Sequence, residues 1–242
     1  MAQQKMMRLF AKWHIWLGWL VGVPILMWTV TGLVMVINPI EEVRGTHLRK
    51  PVLEEPLLPA GNPAPIAFPT DDIPRYREMR VEMQDGRPVW LLTDADGNLE
   101  RVPADMTGEP LPVIDEAYIR DAAARLIVGG ENPVAVEQFS AEESPFDFRR
   151  PIPSWRVTLE DGAHIYFDAR TGQIAAVRTR FWRVFDFMWG LHIMDLQTRD
   201  LTEQSTFNHT MLVLFAGLSV LGSLIGCTLM FRRRKARVKV PK

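Results

Sequence analysis

Two long stretches of this chain carry no charged side chain, and they limit its fold more than any other feature. Residues 13–40 contain no Asp, Glu, Lys or Arg, and residues 205–231 form a second run of the same kind. The most apolar part of the first, residues 15–37, would make a helix about 34 Å long, against a hydrocarbon core of about 30 Å. Both runs therefore read as membrane spans. A buried helix of a soluble protein would not end in RRRK, as the second run does. The first run is too long for the apolar part of a signal peptide. The VINPIEEVRG that follows offers no small-x-small cleavage site, so an uncleaved anchor is expected. Pro24 predicts a local kink. Gly18 with Gly22, and Gly222 with Gly226, recur at four-residue spacing. Such pairs let helix backbones approach, either within the chain or in a homodimer or with a membrane partner.

Charge sorts the rest of the chain. All 29 acidic residues lie between Glu41 and Glu203. Ten of the 28 basic residues sit in the tails, residues 1–12 and 232–242, which leaves 18 in the middle and a net charge of −11 there. Basic tails beside apolar spans fit anionic lipid headgroups better than nucleic acid. They are expected to stay in the cytoplasm, which places residues 41–204 outside it. For a Gram-negative cell this means the inner membrane, with a periplasmic domain of about 160 residues, enough for a core of its own. The single cysteine, Cys227, falls inside the second run, so no intrachain disulfide and no Cys-based metal site can form.

Residues 41–75 are rich in proline and predict an extended connector. Residues 76–179 are regular and contain an internal similarity. The first copy has VEMQDG from Val81, VWLL from Val89 and DADG from Asp94. The second has VTLEDG from Val157, IYF from Ile165 and DARTG from Asp168. Each copy reads as strand, Asp-Gly turn, strand, glycine turn, strand. Trp155, Val157 and Leu159 should point one way, and Arg156, Thr158 and Glu160 the other. The two units could share one sheet. Between them, residues 114–128 have helical spacing. Asp115 and Glu116 suit the start of this helix and Gly129-Gly130 its end. The helix can cover a sheet face, which gives an α+β domain. Residues 180–204 begin RFWRVFDFMWGLHIMDL, too charged to span but dense in aromatics. They predict an interfacial amphipathic helix, with a core helix of the outer domain as the alternative.

These residues resemble a known family. Residues 116–177, ending in SWRVTLEDGAHIYFDARTGQI, look like a PepSY domain. The first span, with His14, Trp16-Leu17-Gly18 and Thr31-Gly32, looks like the membrane helix of PepSY-associated transmembrane proteins. WGLHIMDL and the basic end of the last helix fit as well. The resemblance implies an extracytoplasmic PepSY-like domain of antiparallel hairpins with a covering helix, anchored here by the two spans read from the apolar runs. Better-known members have four spans, and some resemble haem-containing reductases that release iron from siderophores.

The sequence has no phosphate loop, nucleophile elbow, HExxH or CxxCH, and nothing singles out a catalytic carboxylate pair. Of the five histidines, His47 and His164 read as ordinary polar residues of the outer domain. His14, His192 and His209 lie at or near the membrane, where an ionisable group is a functional candidate, and histidine is a usual axial ligand of haem b. His14 should lie near the cytoplasmic face, with His192 and His209 near the outer one. One iron cannot take both His14 and His209. His192 and His209 could pair, while His14 would need a counterpart from a second copy or a partner. Interfacial histidines bonded to water or backbone are the alternative. Three readings of function stay open. The first is a non-enzymatic accessory protein whose outer domain binds a periplasmic protein or ligand, with a link to iron or siderophore uptake implied by the resemblance. The second is a haem-bearing electron-transfer subunit or ferric-siderophore reductase. The third is a regulator of an extracytoplasmic peptidase.

Overall fold

The computed structural model describes residues 2–52, 56–57, 76–105, 107–197 and 205–237. Most of the proline-rich connector and residues 198–204 lie outside the described residues. The chain divides into two units, Met1–Ile40 with Arg183–Lys242, and Glu41–Trp182.

The first unit contains the two long helices. Helix α1 runs Ala2–Ile37 and continues through Pro24. A short helix, α2, follows at Ile40–Val43. Helix α5 runs Thr206–Arg237 and packs against α1. A Cβ on Gly222 would lie 3.7 Å from Leu17 Cβ, and one on Gly226 would touch the His14 ring, so the two helices run antiparallel. In α1 Leu17, Val21 and Thr31 are buried, and His14, Pro24, Trp28 and Met35 are among the half-buried positions. They alternate in steps of three and four, which makes a coiled-coil-like seam. Gly222 and Gly226 lie in that seam. Gly18 and Gly22 do not: nothing stands within 4 Å of where their Cβ atoms would be. Outside the seam, Trp16, Trp19, Val23, Val36, Phe207 and Leu224 are all more than half exposed, an apolar surface that suits lipid.

The second unit is α+β. Three antiparallel strands form one sheet, β1 (Tyr76–Gln84), β2 (Arg87–Asp94) and β3 (Leu99–Pro103), in the order β1-β2-β3. Helix α3, Glu116–Leu126, begins at Asp115, whose side chain accepts from Tyr118 N at 2.9 Å as an N-cap. Four more antiparallel strands form a separate sheet in the order β4-β5-β6-β7. They are β4 (Ala135–Phe139), β5 (Ser154–Thr158), β6 (His164–Asp168) and β7 (Ile174–Arg178). The two repeat units thus keep separate sheets rather than sharing one.

The two Asp-Gly turns differ. Asp85 and Gly86 both have positive φ, 51° and 79°, as a two-residue type I′ loop requires. In the second copy only Gly162 is left-handed, and Leu159 N donates to Ala163 O across a three-residue loop. Helix α3 packs Ile119, Ala122 and Ala123 onto Val157, Ile165 and Phe167 of the second sheet. Each fully buried Ile, Val or Phe contributes about 1.5–3 kcal/mol. Trp155, Val157 and Leu159 are buried, while Arg156 and Thr158 are half-buried and Glu160 is exposed, so the expected alternation holds.

Two further segments are built into this unit. Val43 is buried, Gly45 sits against Val177, and Leu48 joins the core beneath α3. The segment after β4 covers the second face of the sheet, with Phe148 stacked on Tyr166 at 4.5 Å. Helix α4, Arg180–His192, follows β7, and from Arg183 onward the chain groups with the spans.

Candidate functional site

His14 reaches the site through the seam. Its Nδ1 lies 3.1 Å from Gly222 O on α5. A carbonyl oxygen can only accept, so Nδ1 carries the proton. The ring edge fills the space left by the absent side chain of Gly226. A Cβ there would lie 2.7 Å from His14 Cε1 and 3.3 Å from Nε2.

His192, at the end of α4, is held the same way by a different oxygen. Its Nδ1 lies 2.8 Å from Thr31 Oγ1. The Thr31 hydroxyl donates to Met27 O at 2.8 Å, with Trp28 O at 3.2 Å, so its lone pair accepts from His192 Nδ1–H. Thr31 is buried, and the adjacent Gly32 leaves the His192 ring at ordinary contact. Neutral imidazoles anchored through Nδ1–H keep the Nε2 lone pair free. Protein metal sites commonly orient histidine in this way.

His14 and Thr31 are 17 residues apart on α1, about 26 Å along the helix axis. The antiparallel packing puts His209 on α5 near the depth of Thr31. The His209 side chain is exposed and makes no hydrogen bond among the described residues. The structure thus anchors two of the three candidate histidines, at opposite ends of one helix, and leaves the third on the surface.

Residues 11–242 match the family described as PepSY-associated TM region. The chain belongs to the PepSY-associated transmembrane family. No curated protein and no solved structure matches it. This PepSY-associated protein is a membrane protein, with two apolar helices, at Gln4–Ile37 and Thr206–Phe231, and an α+β domain between them.

Do the residues present fit a haem? Two observations bear on this. The His14 ring itself occupies the space that a side chain at position 226 would need. Trp28 Nε1 is buried and has no hydrogen-bond acceptor, one turn from Thr31. Neither of two clefts in the protein, of about 870 and 420 Å³, is lined by a histidine.

The α+β domain of this family member has polar clusters of its own. Asp147 accepts from Tyr166 OH at 2.6 Å and from His164 Nδ1 at 2.8 Å. Burial first, and then this carboxylate, push the Tyr166 phenol well above its ordinary range. His164, expected to be an ordinary polar residue, thus helps to pin the covering segment to the sheet. Tyr118 OH donates to Asp85 at 2.9 Å, which Arg125 also contacts at 2.7 Å. Burial and then Asp85 push the Tyr118 phenol up to about 12. The Arg87 guanidinium, 2.8 Å from Asp105, and then the Thr107 hydroxyl hold the Asp105 carboxyl well below the usual carboxylate range. The sequence reading missed all three clusters, because each brings together residues at least 17 positions apart.

Proposed function

We propose that this protein is a haem b-binding electron-transfer subunit of the bacterial inner membrane, acting in ferric iron or siderophore uptake, with its acidic PepSY domain outside. One observation carries the reading. Two histidines at opposite ends of one span each donate Nδ1–H to a protein oxygen and keep Nε2 free. Haem bound there supplies one-electron exchange at its iron. His14 would hold one group near the inner face, with Gly222 O fixing the ring and Gly226 giving it room. His192 would hold the other near the outer face, fixed by Thr31. His209 would add a further imidazole on the outer side, and a second copy or a partner would do so on the inner side.

The test is a visible spectrum of the full-length protein purified in detergent from haem-replete cells. A Soret band that shifts on reduction supports the reading, and a colourless protein ends it. A second reading, an accessory protein whose outer domain binds a periplasmic protein or ligand, would then take its place. The closed core of the Glu41–Trp182 unit favours that alternative.

A further inference from the structure

Among the described residues strand β1 pairs only with β2, and no described strand meets its other edge. Ala104 N donates to Pro88 O at 2.9 Å, which points the Pro88 carbonyl toward β3 and away from β1. Met83, the β1 partner of Pro88, therefore turns its own N–H and C=O to that other edge. Alternation gives the same orientation to Val81 and Met79. Residues 77–80 are exposed along this edge. Residues 81–84 are half-buried and line the cleft of about 870 Å³, across from Tyr118 and Arg125 of α3 and Gln173 before β7.

Natural edge strands are usually blunted by lysine, proline or short length. At nine residues β1 is long for an edge strand; it contains neither lysine nor proline, although it carries Arg77, Glu78, Arg80 and Glu82 and an irregularity between Tyr76 and Glu78. Its central residues, Met79-Arg80-Val81-Glu82-Met83, are instead complementary to themselves in the antiparallel sense. With Val81 opposite Val81 of a second copy, Met79 faces Met83 and Arg80 faces Glu82, twice each. The methionines and valines fall on one face and the ion pairs on the other. The outward amides of Met79, Val81 and Met83 then meet in register. Shifting the second strand by two residues would set Arg80 against Arg80 and Glu78 against Glu82, which like-charge repulsion disfavours.

We infer that two copies of this chain pair through β1, joining their three-stranded sheets into one six-stranded antiparallel sheet. The exposed half of each strand lies in the cleft beside the half-buried half of the other. The arrangement is isologous, as two-fold dimers require. It uses neither the seam glycines nor the histidines.

Charge exchange on the full-length protein in detergent tests this, with mass measured by light scattering. The wild-type chain should be dimeric. Arg80→Glu and Glu82→Arg should each weaken the dimer at least tenfold, since each sets like charges opposite. Mixed together, the two variants should recover a heterodimer, because each supplies the charge the other lacks. A fold merely damaged by either change would not recover on mixing. Val81→Pro, which removes the central outward N–H where an edge strand tolerates proline, should also give monomer. In a Cys227→Ser background, Val81→Cys should cross-link two copies in native membranes. A monomeric wild type would overturn the inference. So would a dimer that survives both Arg80→Glu and Val81→Pro, or one lost only on Gly18→Leu with Gly22→Leu.

Discussion

Replacing His192 with alanine is expected to remove the redox-responsive absorption of the outer-side site while leaving the inner-side signal from His14. The loss should be complete, since no neighbouring side chain supplies another imidazole nitrogen on Thr31. Thr31→Val is the more informative change. It keeps the shape of the seam and every ligand, and takes away only the oxygen that fixes the His192 ring. Removing such a supporting hydrogen bond typically costs 10–100-fold in metal affinity. The retained haem should fall accordingly on dilution or on challenge with a haem-scavenging protein, and Thr31→Ser should restore it. If His192 were merely an interfacial residue, Thr31→Val would leave the spectrum unchanged.

A second large effect is expected in the outer domain, at the end of α3. A Cβ on Gly130 would stand 2.1 Å from Ala123 O and 2.6 Å from Ala123 C, both backbone atoms of a fully buried residue. Nothing there can move without lifting α3 from the second sheet. Gly130→Ala should cost more than the roughly 1–3 kcal/mol usual for overpacking. Gly129 is the control. It has a φ of 79° with open space around it, so Gly129→Ala meets only the left-handed backbone penalty of about 1–2 kcal/mol. Thermal unfolding of the full-length protein in detergent, followed by near-ultraviolet circular dichroism, should rank Gly130→Ala well below Gly129→Ala. Equal melting temperatures would contradict the close approach.

Much of this architecture is legible in the amino-acid order because its causes are local. The spans follow from the absence of charge over 28 and 27 consecutive residues, 13–40 and 205–231. Asp115 and Gly129-Gly130 bracket α3, and the Asp-Gly pairs mark both hairpins. What the sequence reading missed depends on distant partners. The cover over Tyr166 comes from a segment containing Pro145, Phe146, Asp147 and Phe148, which has neither a helical nor a strand period. Val43 and Leu48 look like ordinary connector residues until their places in the core are known. The glycine pairs look alike in sequence, yet only Gly222 and Gly226 face the other helix. The histidines stand out as ionisable groups in or beside apolar runs. Their anchoring does not, because His14 meets Gly222 across 208 positions and His192 meets Thr31 across 161.

The proposed function requires a hairpin of two spans with both basic tails on one side of the membrane and the acidic domain on the other. Its most direct test is single-cysteine labelling of intact spheroplasts with a membrane-impermeant maleimide, in a Cys227→Ser background. Glu142→Cys, at an exposed position of the outer domain, should label at once, and Lys239→Cys, in the basic tail, only after the membrane is lysed. Labelling of the tail in intact spheroplasts, with the outer domain protected, would contradict it.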